Sequence, residues 1–147
     1  MDEISRQRVK RALCLDGPEQ LQAIESLSSS EQLHQFLLNY NINDGYLPVR
    51  AIVNHKACDK GSALYVYWQF PPELRITNET AEPDYDAAGL LNDIRRRLDA
   101  DSFGSAEYYY DPSAEFTAVQ LYKLRKSGNT AHLESVGSRK LEREWLP

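Results

Sequence analysis

Leu64-Tyr65-Val66-Tyr67-Trp68 is the stretch whose reading decides the fold. Its β-branched and aromatic side chains suit a buried strand, and so short a run carries too little periodicity to arbitrate. The flanks favour a helix. Asp59 is placed to cap one, Ala63 to Phe70 is apolar nearly all round, and Pro71-Pro72 stops it. An all-round apolar helix belongs at the centre of a helical core.

Working back toward the N-terminus, the pattern stays helical. Ile4 to Leu15 carries apolar residues among Arg6, Arg8, Lys10 and Arg11 and ends at Asp16-Gly17-Pro18. Pro18 opens a second helix with Leu21, Ile24 and Leu27 at helical spacing, broken at Ser28-Ser29-Ser30. Ser30 is the expected N-cap of a third, Glu31 to about Tyr40, with Leu33, Phe36, Leu37 and Tyr40 in one stripe. After Asn41-Ile42-Asn43-Asp44-Gly45 turns the chain, a short fourth helix runs from about Leu47 to His55.

Toward the C-terminus, residues 77 to 84 are polar and read as a surface loop. A long helix follows from about Asp84 to Ala100, burying Leu90, Leu91, Ile94 and Leu98. Tyr108-Tyr109-Tyr110 allows a short strand, while Phe116 to Lys126 fits a helix or one arm of a hairpin and is read as helix. The fold class is therefore mainly α: one compact domain over residues 1 to 147, a bundle of short helical hairpins with repeat-like grammar, with room for a small β element near the C-terminus.

A hydrophobic fraction of 41% with 27% charged residues suits an ordinary packed domain rather than a disordered chain. The polar start, Met1 to Arg6, is unlike a secretory signal, and the longest apolar run is far too short to cross a bilayer, so a cytoplasmic protein is expected. Cys14 and Cys58 are too few for a disulfide framework and are expected as thiols.

Net charge is −5, and its distribution is uneven. Residues 71 to 116 hold eleven acids against four bases, a net of −7, while residues 31 to 70 balance to zero. Such a stretch repels phosphate and attracts basic partners, which disfavours direct nucleic-acid binding. Tyrosine ringed by acid suits an interface gripping a basic protein. The expected partner-binding residues are Asp84, Asp86, Asp93, Asp99, Asp101, Glu107, Tyr108, Tyr109, Tyr110 and Asp111. Arg95-Arg96-Arg97 points in different directions on its helix and is expected to pair with Asp93, Asp99 or Asp101.

Catalytic signatures are weak. His55-x-x-Cys58-Asp59, with His34 upstream, contains zinc-ligand chemistry, but a structural site needs four ligands, and three histidines and two cysteines are scattered along the chain. A Cys58 dyad with His55 or His34 lacks an evident orienting third group. No nucleotide loop, nucleophile elbow or metalloprotease helix occurs in the sequence. The expectation is no enzyme, no cofactor and no metal, with Cys58 a small buried hydrophobe and Asp59 a cap.

One pattern is more specific. Leu33 to Gly45, then Ile52-Val53-Asn54-His55-Lys56-Ala57-Cys58-Asp59-Lys60-Gly61-Ser62-Ala63-Leu64 and Tyr67-Trp68, resembles a bacterial family catalogued as domain of unknown function 4274, over about residues 30 to 72. Lys56 stands where the pattern has proline. The resemblance implies helical architecture and a bacterial context, and carries over no catalytic residue. Tyr40, Asp44, Gly45, His55, Cys58, Asp59, Gly61 and Trp68 read as its structural motif: a turn at Asp44-Gly45, a buried junction at Cys58, a cap at Asp59, and at Gly61 room for a close helix approach.

Together, resemblance to such a family, acidity and the want of catalytic signatures point to a non-catalytic immunity protein that occludes the active site of a cognate basic toxin. The rivals are a general helical adaptor and a hydrolase using His34, His55 and Cys58.

Overall fold

In a computed structural model, residues 1 to 70, 83 to 128 and 131 to 143 are described. Seven α-helices appear among them: α1 Glu3–Cys14, α2 Gly17–Glu25, α3 Ser30–Asn39, α4 Leu47–Asn54, α5 Lys60–Tyr67, α6 Ala87–Asp99 and α7 Ala118–Lys126. The mainly α expectation holds, and none of these helices is long and apolar enough to cross a membrane.

The disputed pentapeptide is helical because its start is capped and its sides are packed. Gly61, Ser62, Ala63, Leu64, Val66 and Tyr67 of α5 are all buried, so almost no face is left to water. Helix α3 lies against α1, α4 and α5, α2 packs on α1 and α4, and α6 closes the other side against α4 and α5. Phe36, Ile52, Leu64, Leu90 and Ile94 are at the centre.

Local chemistry fixes the helix starts. Asp2 accepts from the Ser5 amide at 2.7 Å, Asp86 from Gly89 at 2.9 Å, and Thr117 forms a reciprocal capping box with Gln120. Several boundaries depart from the sequence reading: α5 ends at Tyr67, before the expected Phe70 and its prolines, with Trp68 as C-cap, and α7 starts at Ala118 rather than Phe116 because Thr117 is its cap. The α3 cap is Ser29, one residue before the expected Ser30, whose hydroxyl instead meets the Tyr108 hydroxyl at 3.4 Å. Helix α6 starts at Ala87 rather than about Asp84, because Pro83–Tyr85 forms a 3-10 turn and Asp86 serves as the cap. The loop expected at residues 77 to 84 lies outside the described residues as far as 82.

Asp59 does more than cap. Its carboxylate is fully buried and accepts four hydrogen bonds. Gly61 N donates at 2.8 Å and Tyr108 N at 3.1 Å to one oxygen, Ser105 Oγ and Glu107 N at 2.6 Å each to the other. Lys60 N adds a bond to Ser105 O at 2.9 Å. Residues 105 to 108 are thereby laid across the start of α5. The close approach that requires Gly61 is to this backbone, not to another helix, since a Cβ there would sit 2.0 Å from Tyr108 O.

Outside this layer, residues 136 to 139 pair with it. Tyr110 and Val136 exchange backbone bonds at 3.0 and 2.9 Å, and Tyr109 N donates to Arg139 O at 2.8 Å. The β element is limited to two isolated bridges, with no strand among the described residues. Trp68 ties in the same region by donating Nε1–H to His132 O at 3.0 Å.

Asp59→Ala removes a cap and leaves four donors without their acceptor, so unfolding free energy should fall by about 3 to 5 kcal/mol. Urea denaturation measures this, and amide exchange should show residues 105 to 110 losing protection.

Candidate functional site

The motif residues come together as scaffold. His55 Nδ1 accepts from Ala57 N at 3.0 Å, and His55 O accepts from Cys58 N at 3.0 Å, shaping the α4–α5 junction. Arg97 braces that junction from α6 by donating to the carbonyls of Val53 and His55, with its guanidinium 4.1 Å over the Phe103 ring. Tyr40 donates its hydroxyl to Gly45 O at 2.7 Å, and Gly45, at a φ of 126°, takes a conformation that suits glycine.

The residues considered for catalysis are placed for packing. Cys58 is buried, and burial, with the charge of Asp59 adding, pushes its thiol up to about 12, opposite to what a nucleophile needs. His34 Nδ1 lies 2.7 Å from Ser62 Oγ, and its ring stacks on Tyr108 at 4.7 Å between centroids. Burial lowers its pKa to about 4 despite the opposing pull of Asp59, so the imidazole is neutral. Both oxygens of Asp59 are occupied by protein donors, and no group of three metal-ligating side chains converges among the described residues.

Among its described residues, the acidic segment does not form the continuous face its sequence suggests. Asp93 is buried and receives Arg50 Nε at 2.7 Å, Asn54 Nδ2 at 3.1 Å and Arg96. Burial opposes its charge, but the bonds from Asn54 and Arg50 and the two guanidinium charges outweigh it and hold the carboxyl below its usual range. Asp86 caps α6 and faces Arg50, Asp99 meets His132 at 2.8 Å, Asp101 lies 3.6 Å from Lys60, and Glu107 is 3.2 Å from Arg139. Asp111 accepts from Ser113.

Among the tyrosines, Tyr108 is 1% exposed and Tyr110 is also buried, its hydroxyl bonded to Glu115. Tyr109 is 39% exposed beneath Lys140 Nζ, 4.7 Å from its ring centre. Tyr108, Tyr110 and Asp93 are therefore core residues, not surface offered to a partner. For the arginine run, the expected Arg96–Asp93 pair is present, whereas Arg97 turns to backbone carbonyls because the α4–α5 junction lies beside it.

What gathers instead is a cleft of about 390 Å³ where the turn before α2, the turn before α4 and the turn before α6 meet. Among the described residues, Asp16, Asp44 and Asp84 line it without a lysine or arginine, over Pro18, Leu21, Leu47 and Pro48, with Tyr85 at its side, while Arg143 lines an adjoining cavity together with Asp16 and Asp44. None of the three carboxylates has an ion-pair partner among the described residues. Of these only Asp84 was expected at a binding surface, since Asp16 and Asp44 read as turn residues far apart in the chain. Leu21 and Leu47 also line an adjoining groove of about 680 Å³ between α2 and α4.

Fold and motif define an all-α domain organised around a buried cap residue. Residues 28–98, a little under half of the chain, match the family model described as Domain of unknown function (DUF4274), so the resemblance read from the motif extends from the start of α3 through nearly all of α6. No curated protein and no solved structure matches the chain.

His34 makes stability depend on pH. Its folded pKa is depressed to about 4 from 6.5, so the unfolded chain binds more protons between these values. The contribution is complete above pH 6.5 and is lost as pH falls toward 4, by about 3 kcal/mol in all. Urea midpoints measured across this window should fall with acid in the native chain, and less steeply in His34→Gln.

Proposed function

We propose that this chain is a non-catalytic protein-binding protein of the bacterial cytoplasm, an immunity protein that neutralises a cognate toxin by covering its active site. The observation that carries the reading is the convergence of Asp16, Asp44 and Asp84 on an apolar-floored cleft that no basic side chain among the described residues lines.

Carboxylates left without internal partners cost the folded chain some mutual repulsion and attract a basic surface from a distance. The apolar floor then favours retention of what the charge has drawn in, because buried side chains slow release. A nuclease or other enzyme acting on an anionic substrate presents such a basic surface at its own active site. The net charge of −5 on the whole chain supports the same pairing.

The nucleophile candidates are spoken for within the core. Cys58 sits at the α4–α5 junction, and Ser62 and His34 bond each other beneath Tyr108, where a substrate would have to displace packed side chains.

The experiment is to purify the product of the gene next to this one and assay its activity with added protein. Inhibition should be stoichiometric, with an association rate that falls as salt rises. A neighbouring toxin whose activity is unchanged by excess protein would overturn the reading.

A further inference from the structure

Resting on the protein-binding reading, we infer that the groove between α2 and α4 receives an amphipathic helix of the partner, with an arginine or lysine of that helix seated among Asp16, Asp44 and Asp84. The two cavities that compose this site adjoin, sharing Leu21 and Leu47 in their linings. Leu21 from α2 and Leu47 and Ala51 from α4, all partly exposed, furnish the apolar floor, with the buried Ile24 beneath them.

The flanking walls select the occupant's conformation. Both are helices, whose backbone amides and carbonyls are already paired along their own axes, so they offer no strand edge to an extended peptide. A segment bound here must satisfy its own backbone, and a helix does so. A third helix laid on two neighbours also repeats the packing by which this domain is built.

Charge sets the direction. At the α4 C-terminal end, Glu25 and Lys56 offset each other, and Arg50 is already engaged by Asp86 and Asp93. Among the described residues the other end is lined by three carboxylates and no cation, Arg143 lining only the adjoining cavity that shares Asp16 and Asp44. A basic side chain can lay its methylenes over Leu21 and Leu47 and place its head group among the carboxylates, joining burial to charge-assisted hydrogen bonds.

The test uses the full chain and two synthetic amphipathic helices of about four turns, identical in their leucines, with arginine or glutamate on the polar face. The arginine peptide should bind saturably, with amide shifts centred on Leu21, Leu47 and Ala51. Asp16→Asn, Asp44→Asn and Asp84→Asn combined should weaken it by about tenfold or more. These replacements lie at the surface, and Glu134→Lys, away from the groove, serves as the control. Equal binding of both peptides, or shifts centred elsewhere, would sink the assignment. Self-association of the chain that disappears in the triple variant would give the groove to a second copy and overturn it too.

The two proposals fail separately. A toxin fully neutralised by the triple variant and by Ala51→Arg removes the groove and leaves the inhibitor intact. Peptide binding as described, with no neighbouring toxin neutralised, removes the inhibitor and leaves the groove.

Discussion

The structure depends on a buried carboxylate. Asp59 has no ion-pair partner among the described residues, and its carboxylate is held by four hydrogen bonds, one from the first turn of α5 and three from residues 105 to 108. A buried ion is tolerated on such terms because the protein replaces the water that would have solvated it. The consequence reaches both ways along the chain: α5 is started, and a distant irregular segment acquires a defined course. Tyr108, carried in on that segment, stacks on His34 and completes the environment that keeps the histidine neutral. The matched family segment ends at residue 98, so the motif's principal side chain finds most of its partners beyond the stretch that carries the resemblance.

Electrostatics are organised locally rather than by face. Arg50 serves Asp86 and Asp93 together, Arg139 lies between Glu31 and Glu107, and the N-terminal ammonium reaches Glu31 at 3.3 Å. The more exposed of these pairs, such as Arg139 with Glu107, add little to stability. Their effect is to mask the charge of the acidic segment where it is densest in sequence. Among the carboxylates left without an ion pair, Asp16, Asp44 and Asp84 sit at the turns preceding α2, α4 and α6, which topology places side by side.

Much of the fold was legible. Proline, glycine and cap residues mark most helix ends, and their reasons are local, which is why flanking signals resolved α5 although its own composition favoured a strand. The motif residues were legible as scaffold for the same reason. Asp59 was recognised as a cap from its immediate neighbours, but its bonds to Ser105, Glu107 and Tyr108 link positions more than forty residues apart, and no local pattern announces them. The tyrosine run misled in a related way. Alternation sends Tyr108 and Tyr110 inward and Tyr109 outward, yet adjacency to acid made all three resemble surface. The cleft was invisible because charge was summed along the chain, whereas Asp16, Asp44 and Asp84 are neighbours only in space.

The carbonyl of Tyr108 is flanked by two glycines. A Cβ at Gly61 would fall 2.0 Å from it and one at Gly137, whose φ is 70°, 2.2 Å from it. Residues 105 to 110 are thus the filling of a three-ply arrangement, with α5 beneath and the strip around Gly137 above. The outer ply has nothing to pair with until the middle one is down, and the middle one has no anchor until α5 is formed. A side chain added at either glycine would push the middle ply off a neighbour on one side.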